Sequence, residues 1–255
     1  MKHYLSGQVL PQNVYDALRV TGKIGFLSRK LWVEFFARGN ERWNERQKKF
    51  LKDRKLLEAH PNPAAKGYYI LTSVSRALMT AWNLSSVRPA PVAQIYHDEV
   101  VAQSILRLEQ QGFVRAWQTE NELKSKQVKE YQLSRDVRNQ KYPDAVMKVW
   151  ALGQERTFAL EYERTRKASL RYKDILWAYS RTDSLGMVIF ICDCEAIKKT
   201  IKGRLQHLRL PDLWSRIAFT DAKDWIKNPS EAIIELGDQR LTLRSLCQSA
   251  EDKAA

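Results

Sequence analysis

Residues 143–163 read PDAVMKVWALGQERTFALEYE, and this stretch decides the fold of the larger part of the chain. Residues 145–150 and 157–162 form two runs of apolar, aromatic and β-branched side chains, a composition that favours strands. A short link containing Leu-Gly-Gln-Glu separates the runs, and such a link pairs two strands antiparallel. The stretch therefore predicts a β-hairpin.

Three carboxylates stand at one end of this predicted hairpin. Asp144 opens the first strand, while Glu161 and Glu163 end the second strand and share one of its faces. Clustered carboxylates repel one another unless a divalent cation lies between them, and Mg²⁺ or Mn²⁺ suits such oxygen ligands. The pattern predicts a metal site in which the cation activates water and stabilises charge on phosphate.

Two further residues are candidates for this site. Glu99, at the start of a preceding helix, is expected to reach it, and Lys173, on the following helix, to orient the nucleophile or offset phosphate charge. The alternative is a set of surface carboxylates paired with neighbouring cations. Two acidic motifs on adjacent strands favour the site over that alternative. The cations that would form such pairs are Arg164, Arg166 and Lys167.

The elements around the hairpin follow the order helix, three strands, helix, strand, helix, strand. This order predicts an α/β (α+β) sandwich over residues 92–255. The polar stretch 121–142 is expected to be a long insertion or an irregular helix. The helices are predicted at 98–111, 168–181 and 195–208, and the strands outside the hairpin at 113–117, 185–192 and 215–219.

Residues 1–84 have the pattern of a winged helix-turn-helix domain, followed by a proline-stiffened linker at 85–91. In the third helix, expected at 41–58, Trp43, Phe50, Leu51 and Leu57 are predicted to face inward. The opposite face would lie along a DNA groove, with Asn44 touching a base edge; the alternative is an ordinary solvated face. The predicted DNA-binding residues are Arg42, Asn44, Arg46, Lys48, Lys49 and Lys52.

The charge of the chain favours a polyanionic partner. Lys and Arg number 43 against 29 Asp and Glu, which gives a formal net charge of +14. Residues 1–84 hold 15 of these basic residues and 6 of the acidic ones, so the excess is concentrated in the predicted DNA-binding domain. Three cysteines do not form a disulfide framework, and no apolar run is long enough for a membrane span. We therefore expect a cytoplasmic protein that binds double-stranded DNA without membrane insertion.

The helical Glu99, the Pro143-Asp144 pair and the Glu161-Tyr-Glu163 strand, in αβββαβ order, resemble the PD-(D/E)xK nuclease superfamily, whose fold is restriction-endonuclease-like. The resemblance implies that Asp144 and Glu161 bind the metal ion. The chain departs from the pattern at position 163, where the motif lysine would stand. Some restriction endonucleases also have glutamate there, and Lys167 or Lys173 is then expected to supply the cation.

Residues 142–146, 158–164 and the Tyr172-Lys173 pair resemble the replication-relaxation family, and within it the MobC-type relaxases of mobilisable plasmids. This resemblance implies an endonuclease that nicks one strand at a plasmid origin of transfer. It also implies accessory mobilisation and coupling proteins as partners.

Several alternatives stay open at the level of sequence. The chain could be a non-enzymatic winged-helix regulator, a replication or partition factor of a mobile element, or a restriction or repair endonuclease. Its four histidines lie far apart in sequence, which excludes the relaxases that hold their metal with three histidines. The nucleophile is either metal-activated water or a tyrosine; the candidates are Tyr142, Tyr162, Tyr172 and Tyr179.

Overall fold

The computed structural model describes residues 4–5, 8–37, 39, 41–134, 141–151 and 153–248. The chain divides into two compact units, residues 1–99 and 100–255. The division falls within the long helix Val92–Gln110, downstream of the linker expected at 85–91. Among the described residues, no helix has the length and apolar character needed to cross a membrane.

The first unit combines short helices with a three-stranded antiparallel sheet. Its strands lie in the order β3 (Leu27–Ser28), β5 (Tyr68–Leu71), β4 (Leu57–Ala59), and a separate pair, β1 (Tyr4–Leu5) and β2 (Gln8–Val9), precedes them. The helix α2 continues as a π-helical turn, Trp32–Phe36. The elements are β1 Tyr4–Leu5, β2 Gln8–Val9, α1 Gln12–Ile24, β3 Leu27–Ser28, α2 Arg29–Leu31, α3 Glu41–Asp53, β4 Leu57–Ala59, β5 Tyr68–Leu71, α4 Ser73–Ala81 and the start of α5 Val92–Gln110.

Local chemistry explains where these helices begin and end. Gly25 ends α1 with φ 88°, a left-handed conformation that glycine adopts without strain. The Ser28 hydroxyl accepts a hydrogen bond from the Leu31 backbone N–H at 3.0 Å and so caps α2. The side chains of Gln47 and Asn13, both buried, exchange hydrogen bonds of 2.6 and 3.1 Å that join α3 to α1.

Two expectations about α3 are wrong. The helix ends at Asp53 and not near residue 58, since the chain turns at Lys55 (φ 51°) and Leu57 starts a strand that pairs with β5. Trp43 is 44% exposed and does not face inward, because the buried face of α3 is formed by Gln47 and Leu51. Leu57 extends the helical pattern in sequence but begins β4 in the structure.

The segment expected to be an extended link is bound to α1. Val87 and Ala90 are buried, and the Val87 backbone N–H donates to the Gly22 carbonyl oxygen at 2.9 Å. A Cβ atom at Gly22 would collide with the carbonyl oxygen of Ser85. This glycine therefore permits the close approach of residues 85–87 to the helix.

The second unit is built on a seven-stranded mixed sheet in the order β12-β11-β10-β9-β8-β7-β6. The strands β6, β7 and β8 are antiparallel neighbours, β8, β9 and β10 are parallel, and β10, β11 and β12 are again antiparallel. The remaining elements are β6 Val114–Thr119, α6 Glu120–Lys126, β7 Ala145–Ala151, β8 Gln154–Glu163, α7 Ser169–Ser180, β9 Met187–Cys192, α8 Glu195–Leu208, α9 Pro211–Trp214, β10 Ile217–Asp221, α10 Ala222–Lys227, β11 Ile234–Leu236, β12 Gln239–Leu241 and α11 Leu243–Gln248.

The predicted hairpin is confirmed, with Ala145 paired to Leu160 and Ala151 to Gln154. The mixed α/β class and the helix between β8 and β9 are confirmed as well. Part of the expected insertion is regular: α6 begins at a capping box formed by Thr119 and Glu122. Residues 135–140 of that stretch lie outside the described residues.

The helices α7 and α8 contribute to a core with one face of the sheet. That core contains Val146, Ala159, Val188 and Phe190 from three neighbouring strands. Because side chains alternate along a strand, Glu161 and Glu163 lie on the same face as Ala159. The two glutamates are therefore directed into the layer that α7 occupies.

Candidate functional site

The candidate site lies where β7 begins and β8 ends. Ala145 pairs with Leu160, so Asp144 stands one step further along, opposite Glu161. One carboxylate oxygen of Asp144, Oδ2, accepts a hydrogen bond of 2.7 Å from the backbone N–H of Tyr162. The register thus brings the first two predicted metal ligands to adjacent strands at one edge of the sheet.

Glu161 is a buried carboxylate with two polar neighbours. It is 2% exposed, the Tyr179 hydroxyl donates a hydrogen bond to its Oε1, and the Lys141 Nζ lies 3.7 Å from the same oxygen. Burial raises the pKa of Glu161 to about 7, and the nearby charges of Asp144 and Glu163 act in the same direction. Lys141 and the Tyr179 hydrogen bond oppose this rise. The carboxyl group therefore changes charge near neutral pH.

Glu163 is also buried, and both of its oxygens are engaged. Lys167 donates a hydrogen bond from Nζ to Oε1, and the Tyr172 hydroxyl donates to Oε2 at 3.2 Å. The same hydroxyl accepts a hydrogen bond of 3.2 Å from the backbone N–H of Lys167. This carboxylate thus holds a lysine that comes from the connection after β8.

The two remaining candidates of the acidic site lie in different surroundings. Lys173 is exposed on α7 and forms no ion pair with any residue in the described part of the chain. Glu99 is buried in the first unit, and its Oε1 accepts no hydrogen bond from the described residues. Burial raises the pKa of Tyr68, and the charge of Glu99 adds to that effect. The expectation that Glu99 reaches the other carboxylates stays a prediction.

The four candidate tyrosine nucleophiles, Tyr142, Tyr162, Tyr172 and Tyr179, are all buried. Burial raises the pKa of Tyr142, raises that of Tyr172 to about 12, and raises that of Tyr179 well above its usual value. The Tyr162 hydroxyl donates to Asp193 Oδ1 at 3.1 Å. The hydroxyls of Tyr162, Tyr172 and Tyr179 each donate a hydrogen bond to a carboxylate and help to hold that acid in place. The identity of the nucleophile stays open.

The carboxylates fit a divalent cation only in part. Across the described residues, no group of three Asp, Glu, His or Cys side chains has the spacing of a metal site. Glu163 is paired with Lys167, which would compete with a cation for its Oε1, and its role as the third ligand stays a prediction. Asp144 and Glu161 do fit, because each oxygen-donor side chain lies near another negative charge that a cation would offset.

The predicted DNA-binding residues of α3 separate into two groups. Arg42, Arg46, Lys49 and Lys52 are exposed. Lys48 is partly buried, and its Nζ is 2.6 Å from Glu45 Oε1. Asn44 is partly buried, and its Oδ1 is shielded from solvent without a hydrogen bond from the described residues. The outermost stripe of α3 is therefore formed by arginine and lysine, with Asn44 at its inner margin.

Sequence reasoning missed Lys141 as a member of the acidic site, and it named Tyr179 only as a candidate nucleophile and not as a hydrogen-bond donor to Glu161. Lys141 pairs with Glu161 from the segment before β7, and Tyr179 approaches the same carboxylate from α7. The only sequence signal for Lys141 is its place just before Pro143-Asp144. Tyr179 follows Tyr172 by two helical turns, which places the two hydroxyls on the same side of α7.

Comparison with family models, with curated proteins and with solved structures found no match for the chain.

Proposed function

We propose that the chain is a DNA-binding protein whose second unit cleaves DNA with the help of a bound Mg²⁺ or Mn²⁺ ion. The observation that carries the proposal is the pair Asp144 and Glu161, two carboxylates on adjacent strands at one edge of the sheet. The raised pKa of Glu161, about 7, supports it, because strongly shifted carboxylates are concentrated at functional sites.

In this proposal Asp144 and Glu161 hold the cation, which supplies an activated water and offsets negative charge on the phosphate group. Lys141 gives up its place beside Glu161 when the ion enters. This lysine is one-quarter exposed and lines a cavity of about 490 Å³ together with Arg171 and Asp174, so the carboxylate is reached through Lys141. Lys167, held on Glu163, supplies the positive charge that the motif lysine contributes in the superfamily.

The order of the strands supports a nuclease fold. The strands β6, β7 and β8 are antiparallel neighbours, and α7 then leads to the parallel strand β9. Apart from α6, which lies between β6 and β7, this arrangement matches the αβββαβ order of the PD-(D/E)xK superfamily. The additional strands β10, β11 and β12 extend the sheet beyond β9 on the side away from β7.

The first unit supports delivery to DNA. In this unit a helix and a strand are followed along the chain by two helices and two strands, and the strands lie side by side in the order β3-β5-β4. This arrangement matches that of a winged helix-turn-helix domain. In this interpretation α3 is the recognition helix, and its four exposed cations contact phosphates.

The finer proposal is a relaxase that nicks one strand at a plasmid origin of transfer, with accessory mobilisation and coupling proteins as partners, in the cytoplasm. It rests on the motifs around Asp144, Glu161 and Tyr172 and on their resemblance to the replication-relaxation family. High pKa values of the buried tyrosines favour metal-activated water over a tyrosine nucleophile in this step.

The test is cleavage of supercoiled plasmid, with and without the native origin, in the presence of Mg²⁺, Mn²⁺ or a chelator. We expect conversion to open circle that requires the metal and is lost in Asp144→Ala and Glu161→Gln. The matched control is Glu155→Gln, an exposed glutamate of the same strand. Open circles that form only with the origin support the relaxase, whereas linear products support a restriction-type or repair endonuclease. Wild-type rates in both site variants contradict the proposal.

One observation favours a second candidate, a non-enzymatic winged-helix regulator. Glu161 and Glu163 both lie beside a lysine and accept a hydrogen bond from a tyrosine, which is what a purely structural role requires. A regulator binds DNA without Mg²⁺ and leaves it covalently intact, so the plasmid assay separates the two.

A further inference from the structure

The first unit contains a cavity of about 150 Å³ between α3 and the sheet. Its walls are mainly apolar, and most of the side chains that form them are buried. These wall residues are Leu27, Trp32, Leu51, Leu57 and Tyr69. Three cations also line it: Arg29 at the start of α2, and Lys48 and Lys52, one turn apart on α3.

The volume of the cavity limits what can enter. A cavity of about 150 Å³ lined by apolar side chains is large enough to hold one benzene ring. It is smaller than the pockets that hold drug-sized ligands, which begin near 300 Å³. The occupant that fits is therefore a single aromatic ring or a branched aliphatic group of similar size.

The charge around the cavity selects for an anion. Arg29, Lys48 and Lys52 face one nearby carboxylate, Glu45, which is hydrogen-bonded to Lys48. That hydrogen bond lowers the pKa of Glu45, and the charges of Arg29 and Lys52 contribute to the lowering. The cations thus act together on one exposed carboxylate of the protein, as they would on a carboxylate of a ligand.

We propose that this cavity binds a small monocarboxylate whose apolar part is one aromatic ring or a branched aliphatic group. The apolar part lies against Leu51, Leu57 and Trp32, and the carboxylate meets Arg29 and Lys52. Because Lys52 is also one of the cations proposed to contact phosphate, the bound anion weakens the attraction between α3 and DNA. This last consequence rests on the proposed DNA-binding function, whereas binding of the ligand does not.

The first experiment measures ligand binding to the full chain without DNA, by calorimetry, with benzoate as the probe and benzamide as its neutral counterpart of nearly equal shape. We expect benzoate to bind more tightly than benzamide, and Lys52→Ala to weaken benzoate about two- to fivefold, the range of a solvent-exposed charge pair. Lys49→Ala, the matched control, removes an exposed cation of α3 that does not line the cavity and leaves benzoate binding unchanged. Leu57→Phe, which fills the cavity, abolishes binding of both probes.

Equal affinity for benzoate and benzamide overturns the proposal, and so does benzoate binding that survives both Lys52→Ala and Leu57→Phe. Thermal unfolding of each variant shows whether it is folded. If Leu57→Phe does not fold, Lys52→Ala still tests the proposal. The second experiment measures the affinity of the chain for DNA at constant ionic strength. We expect saturating benzoate to reduce this affinity and benzamide to leave it unchanged. A chain that binds benzoate but no DNA contradicts the proposed function alone. A chain that binds DNA but no benzoate contradicts the inference alone.

Discussion

Lys167 donates a hydrogen bond from Nζ to Oε1 of Glu163, a carboxylate that is 1% exposed. The lysine itself is 39% exposed and lies in the connection between β8 and α7. A buried carboxylate is thus neutralised by a cation that water can still reach. The pairing occurs at the strand position where the resemblance to PD-(D/E)xK nucleases calls for lysine.

Removal of Lys167 should destabilise the second unit. In Lys167→Ala the charge of Glu163 keeps only its hydrogen bond from Tyr172, and we expect a loss of about 1–3 kcal/mol in the free energy of unfolding. Lys173→Ala is the control, because this exposed lysine forms no ion pair with the described residues, and its cost should stay within about 0.5 kcal/mol. Urea denaturation measures the free energy of unfolding of both variants. Equal values for Lys167→Ala and Lys173→Ala would argue against the Lys167–Glu163 ion pair.

The same two variants separate two hypotheses about the site. If Lys167 supplies positive charge to a phosphate, Lys167→Ala should slow plasmid cleavage by about 100-fold, as removal of one electrostatic stabiliser typically does. Lys173→Ala should then cleave at nearly the wild-type rate. The opposite result would restore Lys173 to the role expected from the sequence.

Stability should depend on pH through Glu161. Its pKa of about 7 in the folded chain exceeds the ordinary value of 4.5, so folding favours the protonated form. The stabilisation from this group is complete below about pH 4.5 and is lost as the pH rises through 7. In Glu161→Gln, whose side chain cannot ionise, this loss should be absent. The pH-dependent change in the free energy of unfolding should therefore differ between the two proteins by roughly 3 kcal/mol above pH 7. Urea titrations of both proteins between pH 4.5 and 8 test it; parallel curves would contradict the assignment.

Lys141 should compete with a divalent cation. Charges about 4 Å apart at a protein surface interact by about 1–4 kcal/mol, so Lys141→Met should lower the half-saturating Mn²⁺ concentration by about tenfold. The measurement belongs above pH 8, where Glu161 is ionised. Lys148→Met, which removes an exposed lysine of β7 paired with Glu155, is the control. An unchanged Mn²⁺ requirement would place the ion away from Glu161.

The salt dependence of DNA binding should distinguish the cations of α3. Each phosphate contact that is lost should reduce the log-log slope by about one unit, so we expect this for Lys49→Ala and Lys52→Ala on all sequences alike. Lys48→Ala should have a smaller effect, because Glu45 already neutralises that lysine. If Asn44 contacts a base edge, Asn44→Ala should reduce the difference in binding free energy between target and random DNA by about 1–3 kcal/mol. If Lys49→Ala and Lys52→Ala both keep the full log-log slope of the wild type, these lysines belong to an ordinary solvated face of α3 and do not contact DNA.

The hairpin could be predicted because the composition of its two apolar runs and the short turn between them are local properties. The end of α3 could not be predicted, since Leu57 continues the helical pattern and only its pairing with β5 shows that it belongs to a strand. The pairing of β11 and β12 with the sheet was likewise missed, because three-residue strands carry little periodicity.

The acids of the site were visible in sequence, but which side chain contacts which acid was not. Asp144, Glu161 and Glu163 share a short hairpin, so their proximity follows from strand geometry alone. Tyr179 reaches Glu161 only because α7 packs over that face of the sheet. The sequence left two possibilities for the acids, a metal site and pairing with neighbouring cations, and the structure shows the second for Glu163, which is paired with Lys167.

The attachment of residues 85–90 to α1 has a practical consequence for dissecting the protein. A fragment that ends at residue 84, where the winged-helix pattern stops, would lack Val87 and Ala90 and leave the apolar surface beneath them open to water. It would also leave the Gly22 carbonyl without the N–H of Val87 and the Arg76 side chain without the carbonyl of Val87. The smallest stable fragment of the first unit therefore extends at least through Ala90. A protease added to the intact chain should cut residues 85–90 only after α1 unfolds.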